Sequence, residues 1–371
     1  MLGLYVHVPF CSAICNYCNF TRGLFDESLK TRYLGALLQE IRTSSPQRAD
    51  TLYFGGGTPS LLEPLEVESV IAACRDTFDL TADAEITLEA NPESVDISRL
   101  TGFLRAGVNR ISFGVQSFRD DELRRLDRLH SVRRAEDAIA AARVAGFQNV
   151  SFDLMMWLPD QTVDQWMISV DRAIALAPEH MSLYMLEVYP HLPLKMEMTR
   201  QRWEQLPDDA VAEMYEASMA SLEAAGYLAY EISNVARPGR RSRHNLKYWT
   251  DGEWLGFGPG AHSTRAGARW RNVSSTDDYI QRIGTASTVV AECRTLSRDE
   301  RLGDALFTGL RLADGIDIDM LSEHYFTDIW KRFGDRLAPY LDAGLLVKEG
   351  SRLRLTRRGM LLAHEVMAVF V

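Results

Sequence analysis

The chain of 371 residues is poor in cysteine, in basic charge and in long apolar runs. It holds only 5 cysteines, three of them between residues 11 and 18, which excludes the disulfide framework of a small secreted domain. No stretch of about 18 apolar residues occurs, so the sequence predicts no membrane span. With 41 basic against 51 acidic residues the formal charge is −10, which argues against nucleic-acid binding. No charged and then apolar leader precedes the first predicted strand, and we expect a cytoplasmic protein.

The three clustered cysteines form the motif Cys11-x-x-x-Cys15-x-x-Cys18, directly after a strand-like run. Three thiolates on one short loop can hold three corners of a cubic iron–sulfur cluster and leave the fourth iron open to a small molecule. Zinc is the rival, but it needs a fourth ligand, for which His7 is the nearest candidate. A redox disulfide between Cys15 and Cys18 is the third possibility.

The other two cysteines, Cys74 and Cys293, sit in apolar segments. Free cysteine behaves as a small apolar residue, so we expect both to be buried and structural.

Strand-like and helix-like segments alternate through the first half of the chain. Gly107 and Gly146 follow two of the helical patterns, where a left-handed residue would end a helix. Such alternation predicts parallel strands that are buried on both faces and joined by right-handed crossovers. Six units predict an α/β fold, an incomplete parallel (β/α)6 barrel of the TIM type. The predicted strands are Leu4–Val8, Thr51–Phe54, Glu85–Glu89, Arg110–Val115, Asn149–Leu154 and His180–Leu186.

Functional residues of parallel barrels lie at the carboxyl ends of the strands. The cysteine loop follows the first predicted strand, and Gly55-Gly56-Gly57-Thr58-Pro59 follows the second. Glu89, Gln116 and Asp153 lie at or near the ends of the next three. We therefore expect one face to gather a cluster loop, a glycine backbone, two carboxylates and an amide.

These segments resemble the radical S-adenosylmethionine (SAM) superfamily, and within it the haem chaperone (HemW) group, which is related to oxygen-independent coproporphyrinogen III oxidase. The resemblance runs from about residue 3 to the C-terminus. It is carried by Tyr5-x-His7-x-Pro9-Phe10-Cys11-x3-Cys15-x-Tyr17-Cys18, Gly55-Gly56-Gly57-Thr58-Pro59, Glu89-Ala90-Asn91-Pro92 and Gly114-Val115-Gln116-Ser117-Phe118.

The resemblance implies that Cys11, Cys15 and Cys18 bind a [4Fe-4S] cluster whose open iron is chelated by SAM. It places the methionine end of SAM at the backbone of Gly56 and Gly57. The implied SAM-binding residues are Tyr5, Tyr17, Gly56, Gly57, Thr58, Glu89, Gln116, Arg128 and Asp153, of which the last three match contacts to a second SAM in the oxidase. Taken without the family, Arg128 reads equally well as a solvated helix charge.

One segment departs from the family pattern. Trp157, in Asp153–Gln161, stands where the related proteins usually have glycine. Glycine permits close approach of the backbone to a ligand, so we expect the indole to narrow the cavity and to put the second SAM in doubt.

A basic loop at residues 237–243 leads into the run His244-Asn245-Leu246-Lys247-Tyr248-Trp249. This run resembles the family's His-Asn-x-x-Tyr-Trp motif, which is associated with haem binding. The resemblance implies that His244, Asn245, Tyr248 and Trp249 bind haem, with the imidazole on iron and the arginines on the propionates. Without the family, a histidine before an aromatic pair is more often structural. His262 is a further candidate ligand.

From about residue 296 helical patterns precede a hairpin that turns at Gly350, and a final helix follows. This order predicts a winged-helix-like domain, which the family also has. Winged helices often bind DNA, but the acidic balance favours packing or partner binding here. The predicted units are 1–190, the radical SAM core; 191–295, an α+β extension with the His244 motif; and 296–371, the winged-helix-like domain.

Three functions stay open at the level of sequence. The first is a cytoplasmic haem carrier with a cluster and SAM, served by an electron donor and delivering haem to an apo-haemoprotein. The second is an enzyme, an anaerobic SAM-dependent coproporphyrinogen III oxidase. The third is a zinc-stabilised interaction protein. Phe20, where the oxidase has a further cysteine, and the short segment before the first strand favour the first.

Overall fold

The computed structural model describes residues 1–371. The strands, in chain order, are β1 (Leu2–Val8), β2 (Phe10–Cys11), β3 (Gly23–Leu24), β4 (Arg48–Gly56), β5 (Asp79–Ala90), β6 (Arg110–Gln116), β7 (Val150–Met156), β8 (His180–Met185), β9 (Leu228–Glu231), β10 (Asn234–Ala236), β11 (Trp254–Phe257), β12 (His262–Arg265), β13 (Ala268–Asn272), β14 (Val290–Thr295), β15 (Ile316–Asp317), β16 (Leu346–Glu349) and β17 (Arg352–Leu355).

The helices are α1 (Glu27–Arg42), α2 (Pro64–Thr77), α3 (Ile97–Ala106), α4 (Asp120–Arg125), α5 (Val132–Ala145), α6 (Val163–Ala175), α7 (Pro193–Gln201), α8 (Asp208–Ala224), α9 (Arg243–Trp249), α10 (Thr276–Gly284), α11 (Arg298–Gly309), α12 (Ile318–Tyr325), α13 (Ile329–Asp342), α14 (Arg357–Leu361) and α15 (Ala363–Met367). Three short 3₁₀ helices cover Pro59–Leu61, Pro92–Ser94 and Ala368–Phe370.

The six predicted strands lie side by side and parallel, in the order β1, β4, β5, β6, β7, β8. At least one helix separates each of them from the next along the chain. The sheet does not close on itself, since its order runs from β14 at one edge to β9 at the other. The predicted α/β fold with an incomplete parallel barrel is therefore confirmed.

The two faces of the parallel strands differ in chemistry. In β6, Ile111, Phe113 and Val115 belong to the main apolar core, whereas Arg110 and Ser112 alternate with them on the other face. The expectation that these strands are buried on both faces holds, but the inner face is polar. Burial of polar groups is costly unless they are hydrogen-bonded, so this interior is built around polar contacts or a polar ligand.

Residues 228–295 extend the sheet on both sides. β11 adds a further parallel strand beside β1, and β12, β13 and β14 continue antiparallel from it. On the other side β10 and β9 follow β8 in antiparallel pairing. The sequence did not predict β11, which has only 4 residues.

Local signals set the helix ends, and the two predicted glycine ends are confirmed. The Asp26 side chain accepts a hydrogen bond of 2.7 Å from the Leu29 N–H at the start of α1. Gly107 and Gly146 end α3 and α5 with φ of 110° and 108°, a left-handed conformation that glycine adopts without steric cost.

The C-terminal segment has an apolar core of its own, formed by buried residues between Leu302 and Phe370. The order α11, β15, α12, α13, β16, β17, with a sheet ordered β15-β17-β16, confirms the winged-helix-like prediction. The predicted final helix is instead two short ones, because Leu362 leaves the helical conformation (φ −112°, ψ 26°). The boundaries at 190 and 295 stay predictions.

Two sequence expectations concern exposure. Cys74 is buried as predicted, but Cys293 is exposed because it lies on the edge strand β14, so that prediction was wrong.

None of the helices combines the length and apolarity needed to cross a bilayer.

Candidate functional site

A cavity of about 580 Å³ opens at the carboxyl ends of the parallel strands. Residues from β1, β4, β5, β6, β7 and β8 and from the loops that follow them line it. The lining includes every residue predicted for the cluster and for SAM, namely Tyr5, Cys11, Cys15, Tyr17, Cys18, Gly56, Gly57, Thr58, Glu89, Gln116, Arg128 and Asp153.

The cysteine loop is closed by backbone hydrogen bonds. β2 and β3 pair in parallel, and the Phe25 N–H donates to the Cys11 carbonyl at 2.9 Å. Inside the loop the Cys18 N–H donates to the Cys15 carbonyl at 3.2 Å. All three cysteines of the loop line the cavity.

Two polar side chains of the cavity contact the sulfur atoms. The Thr58 hydroxyl lies 3.6 Å from the Cys11 sulfur, and Nη1 of Arg128 lies 3.6 Å from the Cys15 sulfur. Burial raises the pKa of the Cys11 thiol, and the Thr58 hydroxyl opposes this. Burial likewise raises the pKa of the Cys15 thiol, and the Arg128 charge opposes it. Both partners favour the thiolate, the form that binds metal.

The side chains available to bind metal bear on the choice between zinc and an iron–sulfur cluster. No group of three or more His, Cys, Asp or Glu side chains in residues 1–371 is gathered closely enough for one metal ion. Structural zinc needs four ligands around a single ion, usually Cys or His, and the cavity lining offers three cysteines and no histidine. In a four-iron cubane each thiolate binds a different iron, so the sulfurs stand further apart around a shared cavity. The three thiols and the absence of a fourth cysteine in the lining fit such a cluster.

The glycine turn after β4 is packed against the cysteine loop. The N–H groups of Gly57 and Thr58 donate to the carbonyls of Val8 and Phe10, both at 2.7 Å. A Cβ on Gly57 would lie 2.6 Å from the Phe10 oxygen. These N–H groups are therefore used within the protein, and a ligand would meet the turn through other atoms.

Two carboxyl groups face each other across the inner surface. Oε1 of Glu89 accepts a hydrogen bond of 2.7 Å from the Tyr53 hydroxyl, and the Ser112 hydroxyl lies 3.3 Å from Asp153. Burial and the charge of Asp153 raise the pKa of Glu89 to about 7, against the hydrogen bonds from Tyr53 and Gly56 that lower it. Burial also raises the pKa of Asp153. Such a pair favours a cationic ligand.

Arg128 and Gln116 lie at the carboxyl end of β6, between the strands that carry Glu89 and Asp153. Nη2 of Arg128 donates to Asn91 Oδ1 at 2.7 Å and to the Gly114 carbonyl at 2.8 Å, so Arg128 is a fixed cavity residue rather than a solvated helix charge. Gln116 has a left-handed φ of 66°, and its Oε1 is buried without a hydrogen-bond partner. An unsatisfied amide oxygen in a polar cavity is available to a ligand.

Trp157 does not narrow the cavity. Its indole Nε1 donates to the Leu206 carbonyl at 2.8 Å, and the residue is absent from the lining. The expectation of a narrowed cavity was therefore wrong. Its φ of 63° is left-handed, a conformation that glycine adopts more easily than tryptophan.

His244 is not among the lining residues of this cavity, but its ring centre lies 5.1 Å from that of Tyr53 and 6.4 Å from that of Tyr5, both of which line it. His244 is buried, with Nδ1 2.8 Å from the Thr51 hydroxyl and Nε2 2.9 Å from the Tyr248 hydroxyl. A neutral imidazole has one donor and one acceptor nitrogen, so both are engaged and none is free for iron. Burial and the Lys247 charge lower the pKa of His244 to about 3. The residues as arranged do not fit haem, and the predicted role of His244 stays a prediction.

The other residues of the predicted haem site differ in their contacts, since the Trp249 indole Nε1 is buried without a hydrogen-bond partner. The Asn245 N–H donates to the Ser242 hydroxyl that caps α9, and the Arg311 guanidinium lies 4.5 Å from the Trp249 ring centre. In the basic loop, Arg241 pairs with Asp314, and Arg243 pairs with acidic residues of the sheet. His262 is exposed on β12 and is not part of the cavity lining.

Tyr53 and Asn91 are site residues that the sequence reasoning did not single out. Tyr53 orients Glu89, and the Asn91 side chain joins Arg128 to the Thr58 hydroxyl, to which it donates at 3.0 Å. The alternation of Tyr53 with the apolar Leu52 and Phe54 was the available signal, because it marks an inward polar face.

Comparison with known proteins agrees with this geometry. The family model described as Radical SAM superfamily matches residues 5–173, and the one described as HemN C-terminal domain matches residues 296–362. The protein named Heme chaperone HemW from Bacillus subtilis (strain 168) is 35% identical over 377 residues, which cover 100% of this chain and 99% of that protein.

A mitochondrial relative and a solved structure are also similar to this chain. Radical S-adenosyl methionine domain-containing protein 1, mitochondrial, from Bos taurus is 36% identical, over 96% of this chain and 84% of that protein. The solved structure of coproporphyrinogen III oxidase (HemN) from Escherichia coli has the same fold, with a TM-score of 0.86 over 100% of this chain and 89% of that chain at 23% identity. The chain belongs to the radical SAM superfamily and, within it, to the HemW family.

Proposed function

We propose that the protein is a haem carrier that binds a [4Fe-4S] cluster and SAM and delivers haem to apoproteins. Relatives over the full length of the chain carry the name Heme chaperone HemW. The observation that carries the proposal is that the three cysteines and all nine residues implied for SAM open onto one cavity.

In this proposal Cys11, Cys15 and Cys18 hold the cluster, and its fourth iron faces the cavity. A cluster of this kind supplies single electrons to SAM when both are bound, and an electron donor must recharge it. The protein would position the cluster, because Thr58 and Arg128 contact the cysteine sulfurs and hold the loop over the sheet.

The cavity walls suit the two ends of SAM. Glu89 and Asp153 provide acceptors for ammonium and ribose hydroxyl groups, and Arg128 provides donors for a carboxylate. Tyr5 and Tyr17 add aromatic surface for the adenine. Gln116 keeps one amide oxygen free.

The experiment is an anaerobic haem titration followed by transfer. The protein is purified and reconstituted without oxygen, haem is added, and an apo-haemoprotein acceptor then receives it while the Soret band is followed. We expect a saturable Soret shift and its conversion to the acceptor's spectrum. The C293A variant, at an exposed cysteine outside the site, should behave like the natural protein. No saturable Soret shift would contradict the proposal.

The second candidate is an anaerobic coproporphyrinogen III oxidase. It is kept because Gln116, Arg128 and Asp153, the positions matched to a second SAM, all line the cavity. The same anaerobic preparation, given coproporphyrinogen III, SAM and a reductant, should form no protoporphyrinogen if the carrier proposal is right. Catalytic turnover would favour the oxidase.

A further inference from the structure

Arg110 is a buried cation on the inner face of the parallel sheet. It lies at the start of β6 and is 1% exposed, and its Nε and Nη1 have no hydrogen-bond partner in the protein. A charge taken out of water is costly unless other charges or hydrogen bonds compensate it. The Glu85 carboxylate on β5 compensates part of this charge, but it also accepts from the N–H groups of Arg243 at 3.1 Å and His244 at 3.0 Å. A simple ion pair therefore does not account for Arg110.

Strand pairing places Arg110 next to the two carboxyl groups of the cavity. The Cα of Arg110 is paired with that of Thr87, and Ser112, two residues further on, is paired with Glu89. The Ser112 hydroxyl in turn lies 3.3 Å from Asp153. Residues two apart on a strand share a face and lie about 7 Å from each other. Arg110 is therefore the neighbour of the carboxyl pair in the adjacent layer of the sheet interior.

The charge of Arg110 acts on both members of the pair. Burial raises the pKa of Glu89 and the pKa of Asp153, and in both cases the positive charge of Arg110 opposes this. Arg128 acts in the same sense on Asp153. A cation near a carboxyl group stabilises its ionised form, which is the form that attracts a cationic ligand.

The remaining titratable groups of this interior are neutral near pH 7. Burial raises the pKa of the tyrosines that face the carboxyl pair, which are Tyr5, Tyr53, Tyr184 and Tyr248. Around Arg110, burial raises the pKa of Tyr230 and lowers the pKa of His180 and of His244. The charged groups that face the pair are Arg110 and Arg128, and Glu85 acts on Arg110 in turn.

We propose that Arg110 is a positioning residue for SAM, which holds Glu89 and Asp153 in their ionised form without contacting the ligand. The inference rests on the proposed function, since it takes SAM to be the ligand of the cavity. Arg110 does not line the cavity, so its effect on SAM passes through the two carboxyl groups that do. A purely structural role as the counter-charge of Glu85 predicts lower stability but no change in the pH dependence of SAM binding.

The test measures SAM affinity against pH in the reconstituted full-length protein by equilibrium dialysis with labelled SAM. Because the pKa of Glu89 is about 7, the affinity of the natural protein should rise between about pH 6 and pH 8. R110Q removes the charge, so the midpoint of the rise should move up by about one pH unit and affinity at about pH 7 should fall about fivefold. At about pH 9, where the carboxyl groups are ionised in both forms, R110Q should bind SAM as well as the natural protein does.

Three further variants separate charge from structure. R110K keeps the positive charge and should restore the natural midpoint. R110Q/E85Q removes both buried charges, so the fold is spared an unpaired Glu85 carboxylate, and it should show the same upward shift as R110Q. R48Q removes an exposed cation that pairs with Asp79 on the surface and should leave the midpoint unchanged.

The outcomes distinguish this inference from the proposed function. If the natural protein binds no SAM at any pH, the proposed function fails and the inference fails with it. If the natural protein binds SAM and both R110Q and R110Q/E85Q keep its midpoint, the proposed function stands and the inference is overturned. Equally weak binding of SAM by R110Q at every pH would also overturn it, because a damaged fold does not recover when carboxyl groups ionise.

Discussion

Glu89 is the residue whose environment most directly shapes ligand choice. Its carboxyl group faces the cavity, is bound by Tyr53 and is opposed by Asp153, and its pKa of about 7 places its titration near neutral pH. Below this value the group is neutral, and above it the group is an anion that attracts a cationic ligand. SAM carries a sulfonium and an ammonium group, so its affinity should depend on this proton.

The titration of Glu89 predicts that SAM affinity depends on pH. In the reconstituted protein SAM affinity should rise between about pH 6 and pH 8, because the bound cation favours the ionised form of Glu89, and should level off above. The E89Q variant should bind SAM more weakly at about pH 8 and lose most of the rise. Equilibrium dialysis with labelled SAM measures both.

The exposed Glu68 on α2 provides the matched control. E68Q removes one carboxylate far from the cavity and should leave the pH profile unchanged. If the SAM affinity of E89Q rises with pH as steeply as that of the natural protein, a group other than Glu89 determines the pH dependence.

Among the elements, the turn after β4 and the cysteine loop support each other. The loop carbonyls of Val8 and Phe10 accept from the turn, and Gly57 is the residue that allows this approach, since a Cβ there would meet both oxygens at 2.9 Å and 2.6 Å. The glycine run thus helps to hold the cysteine loop in position. Gly57, which was predicted to contact a ligand, therefore acts first in the packing of the turn against the cysteine loop.

We predict that G57A displaces the cysteine loop. The new methyl group overlaps backbone oxygens that cannot move aside as a flexible side chain can, so the variant should lose about 1–3 kcal/mol of unfolding free energy. Its iron content after reconstitution should fall. Urea denaturation and iron analysis are the measurements.

G35A is the control for the glycine-to-alanine change itself. Gly35 lies inside α1 with no atom within 4 Å of an added Cβ. Alanine there should raise the unfolding free energy by about 0.5–1 kcal/mol and leave iron content unchanged. Equal iron content in G57A and the natural protein would contradict the interlocking of turn and loop.

At the scale of the whole molecule, the C-terminal unit is attached to the edge of the main sheet. The Ala313 N–H donates to the Tyr230 carbonyl at 3.0 Å, and the Ile232 N–H donates to the Arg311 carbonyl at 3.1 Å. The Arg311 guanidinium pairs at 2.9 Å with Glu231, which is fully buried, and lies over Trp249. The aromatic end of the His244 motif thereby contacts the C-terminal unit.

Removal of Arg311 should therefore destabilise the attachment. R311A leaves the buried carboxylate of Glu231 without its cation, and we expect a loss of roughly 2–4 kcal/mol in unfolding free energy. R48A removes an exposed pair with Asp79 and should change it by less than about 1 kcal/mol. Thermal unfolding of both variants measures the difference, and equal values would contradict a structural role for the Arg311 pair.

Much of the architecture was predictable because it rests on local patterns. The six parallel strands, the Asp26 cap and the glycine helix ends each follow from residues close in the chain. The state of His244 does not, because it depends on Thr51, 193 residues away, and on a hydrogen bond to Glu85, 159 residues away. The direction of the Trp157 indole depends likewise on Leu206, which no local pattern indicates.

The central claim is that Cys11, Cys15 and Cys18 hold a four-iron cluster with one iron open to SAM. The most direct measurement is electron paramagnetic resonance of the anaerobically reconstituted, reduced protein with and without SAM, together with its iron and zinc content. We predict roughly four irons per chain and a spectrum that changes when SAM is added. Stoichiometric zinc in place of iron, or a cluster spectrum that SAM leaves unchanged, would contradict the account.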